Sequence, residues 1–296
     1  MAGAPKLVQA RAKLNLRLNV LGIQPNGLHG IRSLIGELVF GDDVEISERA
    51  GGFSVETEGA EIPERENLVW LAATRLGIDL SSVHVRVRKR IPMQAGLGGG
   101  SSDAAALLRG LRDVFAARGA PISDDAVHNA ERVGSDVPAC LVRGFKRVEG
   151  TGDIVVREQL PTPPWGLLLL RPPVGVPTSE AYRLLDAGRS GAPASSSDPS
   201  SERDLQELCG AIQTNDFPRA CSLLHNDFQP VVELLFPSVA EARQRLREAG
   251  AAATLLCGSG SCVAGFFETR AAAAAAHKTL KTGEGEWATA TCFADA

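Results

Sequence analysis

The chain has 296 residues, 44% hydrophobic and 22% charged, with a formal net charge of −4 at pH 7. That length is enough for one large or two ordinary cores, and the composition excludes a disordered chain. The net acidity, one tyrosine and three tryptophans argue against a nucleic-acid-binding surface.

From the N-terminus, "MAGAPKLVQARAKLNL" has no apolar signal core and no transit segment, which predicts a cytoplasmic protein of bacterial source. "QARAKLNLRLNVLG" alternates as a strand, with Leu14, Leu16, Leu18 and Val20 on one face and Lys13, Asn15, Arg17 and Asn19 on the other. "QPNGLHG" is a turn signalled by Asn26-Gly27. "SLIGELVF" and "DVEISE" read as two further strands, and "NLVWLAATRLG" as a helix stopped by Gly77. In "VHVRVRKRI" Val83, Val85 and Val87 alternate with His84, Arg86 and Arg88, a strand with one buried face.

Next comes "PMQAGLGGGSSDAAALL". Gly96, Gly98, Gly99 and Gly100 would weaken any regular element holding them. Ala104, Leu107, Leu108, Leu111 and Phe115 then recur at helical spacing, with Ser101 or Ser102 as the cap. A strand, a glycine loop and a helix start aim unpaired N–H groups at one spot, which suits a polyphosphate. No Lys-Ser/Thr pair makes this a Walker A loop, and the spacing is not that of a nucleophile elbow. "SDDAVHNAERVG" reads as a helix capped by Ser123 and stopped by Gly134, and "SDVPACLVRGFKRVEG" as a return to strand-like sequence.

A second region opens at "PTPPWGLLLLRPP", a short buried strand between prolines, and "TSEAYRLLD" is a short helix. "GLLLL" at 166–170 holds the longest run of large aliphatic residues and is far too short to span a bilayer. Residues 187–201 are low in complexity and read as a surface loop. Helical patterns dominate 202–250, "ATLLCGSGSCVAGFF" is strand, turn, strand, "ETRAAAAAAHKTL" a helix, and "WATATCFA" a closing strand. The mixture predicts an α+β chain of two domains. Cys140, Cys209, Cys221, Cys257, Cys262 and Cys292 form no C-x-x-C pair, so reduced thiols are expected.

Phosphoryl transfer needs phosphate ligands, a divalent cation and a group that orients or deprotonates the acceptor hydroxyl. Asp136 in "GSDVPA" is the candidate base, although a helix-exit turn explains it as well locally. Lys13 shares its strand face with Asn15, a residue poorly suited to strands, which hints at a pocket wall; a solvated edge lysine is the plainer reading. A lysine beside an aspartate favours the ionised carboxylate. His29 can read a polar ligand or be an exposed turn histidine. The turn "CGSGSC" at 257–262 offers N–H groups near a phosphate or the acceptor, or is a tight hairpin.

Taken together, "AKLNLRLNV", "PNGLHGIRSL", "IPMQAGLGGGSSDAA", "GSDVPACL", "HNDFQP" and "CGSGSCV" resemble the GHMP kinases along nearly the whole chain. They are most similar to the branch whose acceptor is 4-diphosphocytidyl-2-C-methyl-D-erythritol. The resemblance implies a ribosomal-protein-S5-like N-terminal domain over 1–157 and a ferredoxin-like C-terminal domain over 158–296. It also implies ATP and Mg²⁺ as cofactors and transfer to the 2-hydroxyl of that acceptor, in the methylerythritol phosphate route to isoprenoid precursors. Lys13 and Asp136 become the catalytic pair. The ATP loop is Pro92, Met93, Gln94, Ala95, Gly96, Leu97, Gly98, Gly99, Gly100, Ser101 and Ser102. Asn15, His29, Thr178 and Tyr182 fall on the substrate side, with Tyr182 stacking on cytosine. Leu28 stands where the branch usually has an aromatic residue before the histidine. A homoserine- or mevalonate-type kinase and a non-catalytic nucleotide sensor are the alternatives. Nucleic acid and membrane are not expected as partners.

Overall fold

The computed structural model of the protein describes residues 4–49, 51–75, 80–117, 130–189 and 198–295. Two compact units are interleaved along the chain: Met1–Lys13, Phe40–Ile91 and Gly98–Val142 form one, and Leu14–Val39, Pro92–Leu97 and Arg143–Ala296 the other. The long strands β1 (Lys6–Ile23) and β2 (His29–Glu48) each run through both.

In the first unit the strand order is β3-β4-β2-β1, with β3 (Ser54–Glu58) parallel to β4 (Val83–Arg88) and β4 antiparallel to β2 over Asp43–Glu48. The helices are α1 (Leu68–Arg75), α2 (Gly99–Ala117) and the short α3 (Val137–Leu141). Val44, Ile46, Val83, Val85 and Val87 bury against Ala104, Leu107, Leu108 and Leu111, so the two periodicities read from the sequence meet in one core.

In the second unit β5 (Lys146–Glu149) pairs with β2 at Ser33–Ile35 and with β6 (Ile154–Arg157), while β8 (His225–Asn226) lies parallel to β1. A separate antiparallel sheet follows the order β11-β7-β10-β9. Its strands are β7 (Gly166–Arg171), β9 (Ala253–Leu256), β10 (Val263–Phe267) and β11 (Trp287–Cys292). The helices α4 (Thr178–Gly188), α5 (Pro199–Gln213), α6 (Phe217–Leu223), α7 (Gln229–Leu235) and α8 (Pro237–Glu248) come between β7 and β9, and α9 (Arg270–Thr279) between β10 and β11. That is the strand order of a ferredoxin-like sheet. Leu18, Val20, Leu168, Leu170, Leu246, Val263 and Phe267 form its core.

Several expectations are corrected. The two strands read in 33–48 are the single strand β2. Gly41 does not turn the chain; a Cβ there would overlap the Ala10 carbonyl, so glycine permits close passage of a neighbouring strand. Residues 137–141 are helix, not strand, because Pro138 sits in the first turn, where its missing N–H costs nothing. Helix α2 begins at Gly99, inside the glycine run, so Ser101 and Ser102 are helical residues rather than caps. The 187–201 loop is shorter than read: α4 continues to Gly188, and Asp198 caps α5 by accepting from Ser200 N. Strands β3 and β6, and β8 within the region read as helical, were not expected. Gly77 and Ser123 lie outside the described residues; Ala130–Arg132 is a 3₁₀ turn. All six cysteines are free thiols. No helix among the described residues is long and apolar enough to cross a membrane.

Candidate active site

Strand β1 is buried on both faces, so its polar stripe must find partners inside the protein. Lys13 meets Asp136, Nζ to Oδ2 3.2 Å, with the lysine side chain 8% exposed and the aspartate 38%. Asp136 is the residue before α3, yet its side chain makes no capping bond. Gly98 lies alongside: at φ +70° it needs glycine, and a Cβ there would come within 2.7 Å of Lys13 Cγ. The loop backbone can therefore lie directly against the lysine stem.

The glycine loop is fastened differently at its two ends. In its first half Gln94 (φ +52°) and Gly96 (φ +73°) are left-handed. Gln94 O accepts from Ser261 N at 3.1 Å and Ala95 O from Cys262 N at 3.3 Å. Gly96 has no room for a Cβ, which would overlap the Cys257 carbonyl. In the second half Ser102 N donates to Gly98 O at 2.8 Å, and the Ser102 hydroxyl donates inward to Arg11 O at 2.7 Å. Ser102 is thus bonded into the body of its unit, whereas the Ser101 hydroxyl lies near Gly134.

Beneath the loop a buried triad joins three chain segments. Lys89 Nζ donates to Asp42 Oδ2 at 2.5 Å and to Asp103 Oδ2 at 2.7 Å. Asp42 Oδ1 also accepts from Arg90 N and Ile91 N, which fixes the strand exit just before Pro92. Asp103 Oδ1 is buried without a partner. Burial pushes the Asp103 carboxyl up to about 8; Lys89 opposes the shift and Asp42 adds to it. Burial works against the Lys89 ammonium, yet the two carboxylates hold it above its usual range.

On the expected substrate side, His29 Nε2 lies 2.8 Å from Asp186 Oδ1. The His29 ring stacks on Tyr182, centroids 4.8 Å apart at 24°, and Phe228 meets Tyr182 edge-on at 86°. Leu28 next door is 58% exposed. Thr178 opens α4, its Oγ1 3.1 Å from Ser259 Oγ in the 257–262 turn. Asn15 is buried and donates to Ser33 Oγ at 2.8 Å. The structure therefore brings Lys13 to Asp136, His29 to Tyr182 and Thr178 to Ser259, and sets Asn15 into the strand pair. Reading the sequence missed Asp186, Ser259 as a partner of Thr178, and the Lys89 triad. The signal for the triad was present, since Lys89 stands three residues before the loop and Asp103 just after its serines.

Comparison with known proteins defines the class first. Residues 67–144 match the GHMP kinases N terminal domain and residues 207–284 the GHMP kinases C terminal domain. The chain is thus an ATP-dependent GHMP kinase with the two-domain α+β fold of that class. It is 38% identical to 4-diphosphocytidyl-2-C-methyl-D-erythritol kinase of Pelotomaculum thermopropionicum, over 87% of each chain. It is 30% identical to the enzyme so named from Acetivibrio thermocellus, over 94% of this chain and 96% of the relative. A crystal structure of 4-(cytidine 5'-diphospho)-2C-methyl-D-erythritol kinase superposes with a TM-score of 0.76 at 27% identity, covering 98% of this chain and 100% of that one. Homoserine kinase from Cytophaga hutchinsonii, at 17% identity and a TM-score of 0.72 over 98% of this chain and 95% of that one, shares the fold. The chain belongs to the 4-diphosphocytidyl-2-C-methyl-D-erythritol kinase family.

Proposed function

We propose that the protein transfers the γ-phosphoryl group of ATP to the 2-hydroxyl of 4-diphosphocytidyl-2-C-methyl-D-erythritol, in the methylerythritol phosphate route to isoprenoid precursors. The acceptor oxygen attacks the γ-phosphorus, the bond to the β-phosphate oxygen breaks and ADP leaves, while the hydroxyl proton passes to Asp136. Lys13 places a positive charge beside the oxygen as it loses that proton. The loop at 92–102 cradles the phosphates with backbone N–H groups lying between Pro92, which has none, and Ser102, whose own is given to Gly98 O, as a glycine loop at a helix start does. The observation that carries this reading is the enclosed Lys13–Asp136 pair with the Gly98 backbone against the lysine stem.

Thr178, His29, Tyr182 and Asn15 serve the acceptor side. The Tyr182 ring, with His29 on it, is the aromatic surface for the pyrimidine, and Leu28 adds an apolar one. Mg²⁺ accompanies the nucleotide. Among the described residues no three His, Cys, Asp or Glu form a metal cage. Such an ion is usually held by substrate phosphates with one or two carboxylates, and Asp136 is a partly exposed carboxylate of the candidate site. When bound, Mg²⁺ neutralises charge on the phosphates. In sequence the two domains divide at 157/158, and the compartment is the cytoplasm.

ADP release measured with a panel of acceptors tests the proposal. Turnover of the cytidyl compound alone is expected. Turnover of homoserine or mevalonate in its place would overturn the acceptor, and nucleotide binding without any turnover would overturn the enzyme.

A further inference from the structure

The segment His225-Asn226-Asp227-Phe228 belongs to "HNDFQP", a motif to which the reaction above gives no task. Asn226 is the second residue of β8, paired with Leu18 of β1, and its side chain is buried. Its Nδ2 donates to the carbonyls of Leu256 at 2.8 Å and Gly258 at 2.7 Å, and its Oδ1 accepts from Phe228 N at 2.9 Å. Both amide hydrogens are thus taken up by the backbone that enters the 257–262 turn.

That turn is itself tightly closed, with Cys257 N donating to Cys262 O at 2.9 Å and Gly260 N to Cys257 O at 2.8 Å. From its far side Ser261 N and Cys262 N reach Gln94 O and Ala95 O in the first half of the glycine loop. Ser259 Oγ lies 3.1 Å from Thr178 Oγ1. One buried amide therefore fixes a turn that touches the nucleotide loop on one side and the Thr178 hydroxyl on the other.

We infer that Asn226 is a positioning residue: it sets the 257–262 turn so that one rigid piece aligns the first half of the nucleotide loop and the Ser259–Thr178 hydroxyl pair. The inference rests on reading 92–102 as the nucleotide loop and Thr178 as an acceptor-side residue. A carboxylate at 226 has nearly the same shape but no hydrogen to donate, so the Leu256 and Gly258 carbonyls would lose their partner and face a negative charge.

The test is a double-mutant cycle with Asn226→Asp and Ser259→Ala, read by nucleotide titration without acceptor and by initial rates with both substrates. Asn226→Asp is expected to weaken ATP binding and raise the acceptor KM, each by about tenfold or more, since two buried hydrogen bonds are lost. The effect of Ser259→Ala on the acceptor KM should then shrink in the Asn226→Asp background, because the turn no longer presents that serine. Asn226→Ser, which keeps one donor, should fall between, and decides the matter if the carboxylate variant does not fold. Unchanged ATP affinity and acceptor KM with only a lower unfolding midpoint, or strictly additive effects, would reduce Asn226 to a structural role and overturn the inference. If the wild-type protein turns over some other acceptor, the proposed substrate falls, while the nucleotide titration of the same variants still decides the role of Asn226.

Discussion

Lys13 is drawn into contact with Asp136 because a buried ammonium must be compensated, and the half-exposed carboxylate does so without giving up access to a substrate. Asp136→Asn keeps the shape and removes the proton acceptor. Turnover is expected to fall by about 10²–10⁴, the usual worth of general-base assistance, with ATP affinity nearly unchanged. Turnover within a few-fold of wild type in a folded Asn variant would remove Asp136 from that role. The Lys89 triad makes a second prediction at this scale. The Asp103 carboxyl stands at about 8 in the folded protein against an ordinary 3.8. Between those values the folded state holds more protons than the unfolded one, so this group's stabilisation is full at low pH and is lost as pH rises toward 8. Asp103→Asn mimics the protonated carboxyl, so its stability relative to wild type should grow from pH 5 to pH 8 in urea unfolding. A difference that does not change with pH would show that Asp103 is ionised throughout. Removing the cation instead, by Lys89→Met, leaves the buried Asp42 and Asp103 carboxyls without their cation and should cost about 3–5 kcal/mol.

Strand β4 and helix α2 were legible because each holds one period over several residues, although the α2 start was misread, and α9 because alanine is the strongest helix former. What escaped was set by neighbours. The Gly41-Asp42-Asp43 stretch reads as a break, yet β2 runs straight through it, since Gly41 lets another strand pass and Asp42 turns inward to Lys89. The glycine run stands out in the sequence, but the neighbours of each glycine are visible only in space. Gly96 and Gly98 share a left-handed φ, which costs a non-glycine residue about 1–2 kcal/mol. Their surroundings differ. A methyl at Gly98 meets the flexible Lys13 stem, whereas one at Gly96 meets the Cys257 backbone. Gly98→Ala should therefore fold, bind ATP and lose turnover by roughly tenfold or more as Lys13 is displaced. Gly96→Ala should lower both stability and ATP affinity. Matched denaturation curves and nucleotide titrations check this; identical behaviour of the two variants would mean that the backbone conformation alone, and not the neighbour, is what each glycine serves.

At the scale of the whole chain, the two-domain organisation was legible from the proline-flanked start of a second region and the mixture of strands and helices, but the way the chain is shared between its compact units was not. That sharing depends on which halves of two long strands pack where. The chain passes from one unit to the other at 13/14, 39/40, 91/92, 97/98 and 142/143. The unit that holds the C-terminal sheet also holds residues 14–39, and Leu18 and Val20 of β1 are buried in its core with Leu168, Leu170 and Val263. Strand β8 pairs with β1, and Asp227 accepts from Val20 N at 2.7 Å. A fragment comprising residues 158–296 would begin where the second domain is proposed to start, yet it would lack all of these partners. Burying a large aliphatic side chain contributes roughly 1.5–3 kcal/mol, so losing Leu18 and Val20 together is comparable with much of the stability of an ordinary domain. Residues 158–296 expressed alone should therefore show helical far-UV signal with a broad, non-cooperative urea transition. Adding residues 1–157 as a separate chain should restore a sharp one by supplying β1. A sharp, cooperative transition for residues 158–296 alone would show that β1 lies on that core without being needed by it.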